Sequence, residues 1–383
     1  MPLIQRNLLK LLNKTTKSIL LLGPRQTGKS TFIESLSPDL SINLADERQY
    51  LRFTQSPNAI FQQVGNANQK TIFVDEVQRI PSLLNSIQTL IDDKKRDLRF
   101  LLTGSSARKL HRGSANLLPG RQMSFRMGPL VSSEIGHNMD SDQALAYGTL
   151  PGLYMEKKVF DREQLLLTYS ATYLREEIQS EALTRNMEGF SRFLAVMASR
   201  ATEFLDVGKF GSEAMINRET ARRYFEILED TLIIETIHPF SKSSRKRLVQ
   251  HPRFFFFDNG VLNGLLQGFS VTNDRKGRLF ENLLLTQLLH SARSLGKPIE
   301  ISSYRTSHGA EVDFIVNWDS QIWAIEAKAT AESAKVDSRG FSSFKKFYGK
   351  KHHAVVVTLG HNERLVDGIR VLPWQRLLKQ MVL

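Results

Sequence analysis

Two stretches of this 383-residue chain carry side chains whose types and spacing suit phosphate chemistry. The first runs Gly23-Pro24-Arg25-Gln26-Thr27-Gly28-Lys29-Ser30, with Thr31 after it. Glycines at those two places let a loop curl so that its N–H groups surround a phosphate. Lys29 then reaches the β and γ phosphates, and the Ser30 hydroxyl binds Mg2+. The second stretch is "GAEVDFIVNWDSQIWAIEAKA", Gly309 to Ala329, which holds Asp313, Glu326 and Lys328. Asp313 and Glu326 offer the hard oxygens that Mg2+ takes. Lys328 can orient or deprotonate a water for in-line attack on a phosphodiester. An ordinary charged hairpin is written with the same residues, so the elements around the acids decide between the two.

The first set sits in the right surroundings. Ile19 to Leu22 form a short apolar run, as in a buried parallel strand, and Phe32, Ile33 and Leu36 follow at helical spacing. Strand, loop and helix in that order add the partial positive charge of the helix N-terminus. A second apolar run, Thr71 to Val74, ends in Asp75-Glu76. An acid at such a strand tip can hold Mg2+ through water, and the next acid can act as general base on the attacking water. Asp75 is therefore expected on the metal side and Glu76 as the base; a helix-capping acidic pair is the other reading. A third run, "LRFLLTG", ends in Thr103 and is followed by Ser105 and Ser106. Arg108, Arg112 and Arg121 are candidates for an arginine that stabilises charge on the transferring phosphoryl group. Arg121, in a Gly-Arg turn, is preferred, and such a residue can act on a neighbouring subunit.

The net charge is +13, with 41% hydrophobic and 24% charged residues. That balance favours a polyanionic partner, nucleic acid before membrane. The absence of cysteine excludes disulfides, thiolate zinc sites, iron–sulfur clusters and cysteine nucleophiles. The densest apolar runs are too short to span a bilayer and the first residues lack a continuous apolar block, so a cytoplasmic location with no membrane partner is expected.

In order, "GPRQTGKST", "INLADERQYLRF", "TIFVDEVQRIPSLL", "LLTGSSARKL", "LLPGR" and "MGPLVSSEI" resemble a family of bacterial and archaeal AAA-type ATPases. The resemblance spans nearly the whole chain and implies an α/β fold. Its parts would be a P-loop AAA+ core, a helical lid, a winged helix and a C-terminal domain like the restriction endonucleases. ATP and Mg2+ would be the cofactors and a homo-oligomer, with a ring as one arrangement, the assembly. Carried onto this chain, Gly23 through Thr31 with Asp75 would contact nucleotide and metal, and Thr103 would be the sensor on the strand between the two motif strands. The resemblance does not settle a substrate.

The expected division is 1–128 for the ATPase core, 129–203 for the lid, 204–260 for the winged helix and 261–383 for the nuclease-like domain. The lid rests on amphipathic patterns in "EQLLLTYSATYLREEIQSEAL" and "GFSRFLAVMASRATEFL". In the third segment Asn217 stands where a helix N-cap belongs, and Tyr224, Ile227 and Leu228 form one face with Arg218, Arg222 and Arg223 off it. A basic turn with Lys242, Arg245, Lys246 and Arg247 follows, before a returning strand. Helix, helix and basic-tipped hairpin is winged-helix order, and these seven basic residues are candidate DNA contacts; packing between domains is the alternative use.

For the tail, Val312, Phe314 and Val316 are expected to alternate with Glu311, Asp313 and Ile315, and Glu326 and Lys328 to share a strand face. Glu281 lies upstream on a helix, off the Leu283/Leu284/Leu288 stripe. Helix acid, strand acid, then strand acid with lysine resembles the PD-(D/E)xK nuclease core, with Val312 where the motif's name has proline. Asp313 and Glu326 would hold metal, Glu281 would complete the shell or serve as a further base, and Lys328 would act on water. Whether such a domain cuts DNA or only binds it stays open, since fold does not fix activity. The leading expectation is an ATP-driven motor on branched or junction DNA, migrating or unwinding it. An ATP-driven signalling or defence switch and a protein remodeler are the alternatives.

Overall fold

Ser18–Leu22 (β1) is buried along its whole length. An uninterrupted apolar run has no polar face to give to water, so it needs cover on both sides. The computed structural model supplies that cover. It describes residues 4–64, 69–93, 97–105, 120–173, 186–240, 251–330 and 336–383. Ser106, Arg108, Arg112, Lys242, Arg245, Lys246 and Arg247 lie outside the described residues.

The chain divides into two compact units. The first comprises Met1–Gly128 with Asp230–Ile233 and Ser294–Gly296. Its sheet holds β1, Leu40–Asn43 (β2), Thr71–Asp75 (β3), Arg99–Gly104 (β4) and Gln122–Arg126 (β5), in the order β2-β3-β4-β1-β5. Every pairing in it is parallel. Alternate residues of the central strands enter two different cores. Leu20, Leu22, Ile72, Val74, Phe100 and Leu102 pack with Leu83, Leu84, Ile87 and Leu90 of helix Leu83–Asp92. Ile19, Leu21, Phe73 and Leu101 pack with Phe32 and Ile33 of helix Lys29–Glu34. Because all five strands run the same way, their carboxyl ends share one edge, where open α/β sheets bind ligands.

The second unit comprises Pro129–Glu229, Ile234–Arg293 and Lys297–Leu383. Helices Ser141–Tyr147, Pro151–Met155, Val159–Thr168 and Met187–Ser199 come first. Helices Val207–Glu213 and Arg218–Asp230 then lead into the antiparallel pair Ile234–Pro239 (β6) and Arg253–Phe256 (β7). Asn217 caps the second of these helices, its Oδ1 accepting the Thr220 N–H at 2.8 Å. The remaining strands are Glu300–Arg305 (β8), Glu311–Trp318 (β9), Gln321–Lys328 (β10), His353–Thr358 (β11), Arg364–Val366 (β12) and Ile369–Pro373 (β13). Together they make an eight-stranded sheet in the order β12-β13-β11-β10-β9-β8-β6-β7. β6 pairs in parallel with β8 through His238↔Ser302 and Pro239↔Ser303. The 204–260 and 261–383 segments therefore contribute to one sheet.

One expectation needs correction here. The period-two alternation predicted across Glu311–Val316 is broken. Between the pairs Ser302↔Ile315 and Tyr304↔Val312, β9 spends one residue more than β8. This bulge brings Val312 and Ile315, of opposite parity, into one core with Tyr304, Ala324, Phe341 and Phe344. An extra residue unpaired in the ladder re-aims the side chains beside it, and Asp313 lies within the irregular stretch. Among the described residues no helix is long and apolar enough to cross a membrane.

Candidate functional site

The P-loop residues leave the carboxyl end of β1 and turn into helix Lys29–Glu34 through Gly28, whose φ of 86° is left-handed and suits glycine. Lys29 is 5% exposed, and its Nζ donates to the carbonyls of Gly23 at 2.8 Å and Pro24 at 2.9 Å. Thr27 Oγ1 closes the same turn on Pro24 O at 2.8 Å. Gly23 and Pro24 are buried, Arg25 and Ser30 half-buried, and Gln26 and Thr31 exposed. Arg6 carries no motif in the sequence, yet it fixes the loop: its guanidinium donates to Thr27 O at 2.9 Å and Gly128 O at 2.8 Å.

β3 and β4 are neighbours in the sheet, which brings Asp75 and Thr103 together. The Thr103 hydroxyl donates to Asp75 Oδ1. The Glu76 N–H donates to Asp75 Oδ1 at 3.1 Å and to Thr103 Oγ1 at 3.3 Å. The strand-tip acid, the next acid and the sensor candidate thus form one bonded group. A hydroxyl on the helix start and a carboxylate at the β3 tip are the donor types Mg2+ takes beside a triphosphate, so Ser30 and Asp75 would hold it there. Arg121 pairs with Asp92 at 2.5 Å, and both side chains are partly exposed.

In the second unit the acids of the tail converge on an arginine that no sequence pattern marks. Arg253, at the start of β7, is 4% exposed. Its Nη2 donates to Glu281 Oε2, and its Nη1 lies 3.9 Å from Asp313 Oδ1. Its Nε donates to Thr202 O at 2.7 Å, and the guanidinium lies within 6 Å of the ring centres of Phe204, Phe255 and Phe314. Asp313 Oδ2 also accepts the Ala327 N–H at 2.8 Å. Glu326 and Lys328 share a face of β10 and pair at 2.8 Å. Glu281, Asp313, Glu326 and Lys328 lie in one electrostatic neighbourhood. Among the described residues, however, no three Asp, Glu, His or Cys side chains form a group that could hold a metal. Asp313 instead faces Arg253 and the Ala327 N–H, and Glu326 faces Lys328.

Burial raises the Glu281 carboxyl to about 7, the Asp313 charge adds to it, and Arg253 opposes both. Burial likewise raises Glu326 to about 7, with Asp313 adding and Lys328 opposing. An acid whose folded pKa lies above its unfolded value binds protons more tightly when folded. Stability therefore falls as pH rises through the window from about 4.5 to about 7. In EDTA, the intact chain is expected to melt higher at pH 5.5 than at pH 8, with a shallower dependence in Glu281→Gln. Equal slopes in the two proteins would remove Glu281 from this linkage.

Of the candidate DNA contacts, Arg218, Arg222 and Arg223 are exposed on helix Arg218–Asp230. Val207, Arg218, Glu219 and Arg222 line an open cavity of about 480 Å³. Arg222 lies 3.9 Å from Glu226, one turn on.

Residues 15–136 match the model of the AAA domain family, while residues 138–272 and 276–377 match two domains of unknown function (DUF8612 and DUF4143). An uncharacterized protein of Mycobacterium tuberculosis is 25% identical over 321 residues, covering 82% of this chain and 70% of its own length. One from Haemophilus influenzae is 21% identical over 347 residues, covering 85% of this chain and 82% of its own. Among solved structures, C. elegans PCH-2 overlaps 58% of this chain and 63% of its own, under two thirds, at 16% identity and a TM-score of 0.26. NtrX from Brucella abortus in complex with ATP overlaps 58% of this chain and 67% of its own, at 12% identity and a TM-score of 0.26. Neither overlap is close enough to bear on function. The segment that carries the P-loop is thus the part of the chain similar to the AAA domain family.

Proposed function

We propose that this AAA-type ATPase is a DNA-acting motor that hydrolyses ATP and binds branched or junction DNA to migrate or unwind it. The observation that carries the ATPase half is the group at the shared strand edge. Lys29 is anchored inside the loop, and Asp75, Glu76 and Thr103 are bonded to one another at the ends of the next two strands, β4 beside β1 and β3 beyond it. In this reading Gly23 through Thr31 cradle the phosphates, and Ser30 and Asp75 hold Mg2+, which neutralises charge on the β and γ oxygens. Glu76 takes a proton from the attacking water, Thr103 fixes the Asp75 carboxylate, and Arg121 serves a neighbouring subunit of a homo-oligomer, with a ring as the working arrangement.

The DNA half rests on the +13 charge and on the exposed Arg218, Arg222 and Arg223. The helix–helix–strand–strand order from Val207 to Phe256 supports reading that segment as a winged helix; Lys242, Arg245, Lys246 and Arg247, outside the described residues, are proposed as further phosphate contacts. Residues 129–203 would be the lid and 261–383 the nuclease-like domain, and the whole would work in the cytoplasm. Asp313, Glu326, Lys328 and Glu281 would bind or cut the DNA strand. The Arg253 contacts favour a second reading of that tail, since an internal cation already compensates two of its acids. Under it, ATP drives assembly of a signalling or defence switch whose nuclease-like part holds a partner.

The test follows ATP turnover without DNA, with linear duplex and with a four-way junction, and runs the DNA on a gel with Mg2+ or Mn2+. Junction-stimulated turnover with intact strands is expected for the motor. Metal-dependent cuts that disappear in Asp313→Ala would make the tail a working nuclease. Turnover indifferent to every DNA would overturn the motor and leave the switch.

A further inference from the structure

We propose that Gln78 is a positioning residue for ATP hydrolysis, holding the Glu76 carboxylate and tying it to the end of β4. The proposal rests on the ATPase reading and on Glu76 as general base. Gln78 sits in the short 3-10 turn Val77–Arg79 that follows Glu76, and it is 3% exposed. A polar side chain that deep needs hydrogen-bond partners. Its Nε2 donates to Glu76 Oε2 at 2.5 Å and to Ser105 Oγ at 2.8 Å.

The orientation of the amide follows from its neighbours. A carboxylate only accepts, so the nitrogen must face Glu76. The oxygen end lies against Gly104, where an added Cβ would stand 2.9 Å from Oε1. Among the described residues that oxygen has no hydrogen-bond partner. A buried amide held by one end, at the cost of the other, indicates a constraint beyond packing.

Glu76 itself is in the left-handed region, with φ 58°. For a residue with a side chain that conformation persists only where the surroundings fix it. Its N–H is held by Asp75 and Thr103, and its carboxylate by Gln78. Thr103 and Ser105 both come from the end of β4, so backbone and side chain of the base candidate are referenced to the same strand. A shift at the β4 end would be felt by the carboxylate through Ser105 and Gln78.

The experiment is steady-state ATP turnover by the intact chain, with nucleotide affinity from a fluorescent ATP analogue. Gln78→Met keeps the volume and removes the donor. It is expected to lower kcat by about 10- to 100-fold with affinity changed less than about threefold. Gln78→Glu replaces the donor by a second acid facing Glu76 and should lower kcat at least as far as Gln78→Met, again with affinity changed little. Ser105→Ala, which leaves Gln78 in place, should lower kcat in the same sense but less, and it serves if the buried variants fail to fold. Wild-type kcat in folded Gln78→Met and Gln78→Glu, or in Ser105→Ala alone, would overturn the proposal. Glu76→Gln is the separate control. Full turnover in that variant would sink the base assignment itself, whatever Gln78 does.

Discussion

Replacing Arg253 by methionine is expected to destabilise the second unit by about 3–5 kcal/mol, enough to threaten folding at physiological temperature. The guanidinium is almost wholly buried and pairs with both Glu281 and Asp313. Taking it away leaves the Asp313 charge without this partner and pushes the Glu281 carboxyl, already raised to about 7, further up, and losing the cation of a buried pair costs more than the pair was worth. The loss also removes the donor to Thr202 O and the cation over three rings. Urea unfolding of the wild type, Arg253→Met and the triple variant Arg253→Met/Glu281→Gln/Asp313→Asn would measure it. The triple variant should recover much of the loss, because it removes the stranded charges along with the cation. A cost under about 1 kcal/mol for Arg253→Met would mean that the acids are solvated or protonated without it.

Lys29→Ala is expected to reduce ATP turnover at least about 100-fold, the usual scale for removing one preorganised donor from developing phosphate charge. The chain also uses this ammonium to tie down the Gly23 and Pro24 carbonyls. The variant should therefore lose nucleotide affinity as well as rate, because the loop no longer keeps its shape. Both of those carbonyls belong to the loop itself, so the melting temperature should move little. Near-normal turnover by a folded Lys29→Ala would sink the phosphate-site assignment.

What could be read from the sequence was local or followed a simple period. The apolar run of β1, the loop after it and the helical spacing of Phe32 and Ile33 each lie within a few residues, and they form as read. Asp75 and Thr103 are 28 positions apart, yet each marks the end of a strand, so placing β3 beside β4 brought them together. Arg253 gave no such signal. In "HPRFFFFDNG" it is one basic residue before an apolar run, and its partners lie 28 and 60 positions away on a helix and another strand. Only the order of the second sheet decides that they meet. The bulge in β9 was hidden for a related reason: an extra residue is visible only against the partner strand, and the letters of β9 alone alternate well enough to suggest none. Gln78 had a faint cue, two positions after an acid pair at a strand tip, but its burial depends on Gly104 leaving room in β4.

The parallel contact between β6 and β8 bears on how such a chain can be inherited. The segments matching the two domains of unknown function meet between residues 272 and 276, and β6 and β7 fall in one while β8 to β13 fall in the other. The hydrogen bonds of a single sheet cross that seam. An exchange that joined this tail to a foreign middle segment would strip β8 of β6, leaving β9 on its other side, and bare backbone donors and acceptors open to pairing with any passing strand. The incoming segment would have to bring a strand of its own, in register with Ser302 and Ser303. The seam divides the sequence between two family matches without dividing the sheet, so recombination keeps the sheet whole by carrying both segments together or by supplying such a strand.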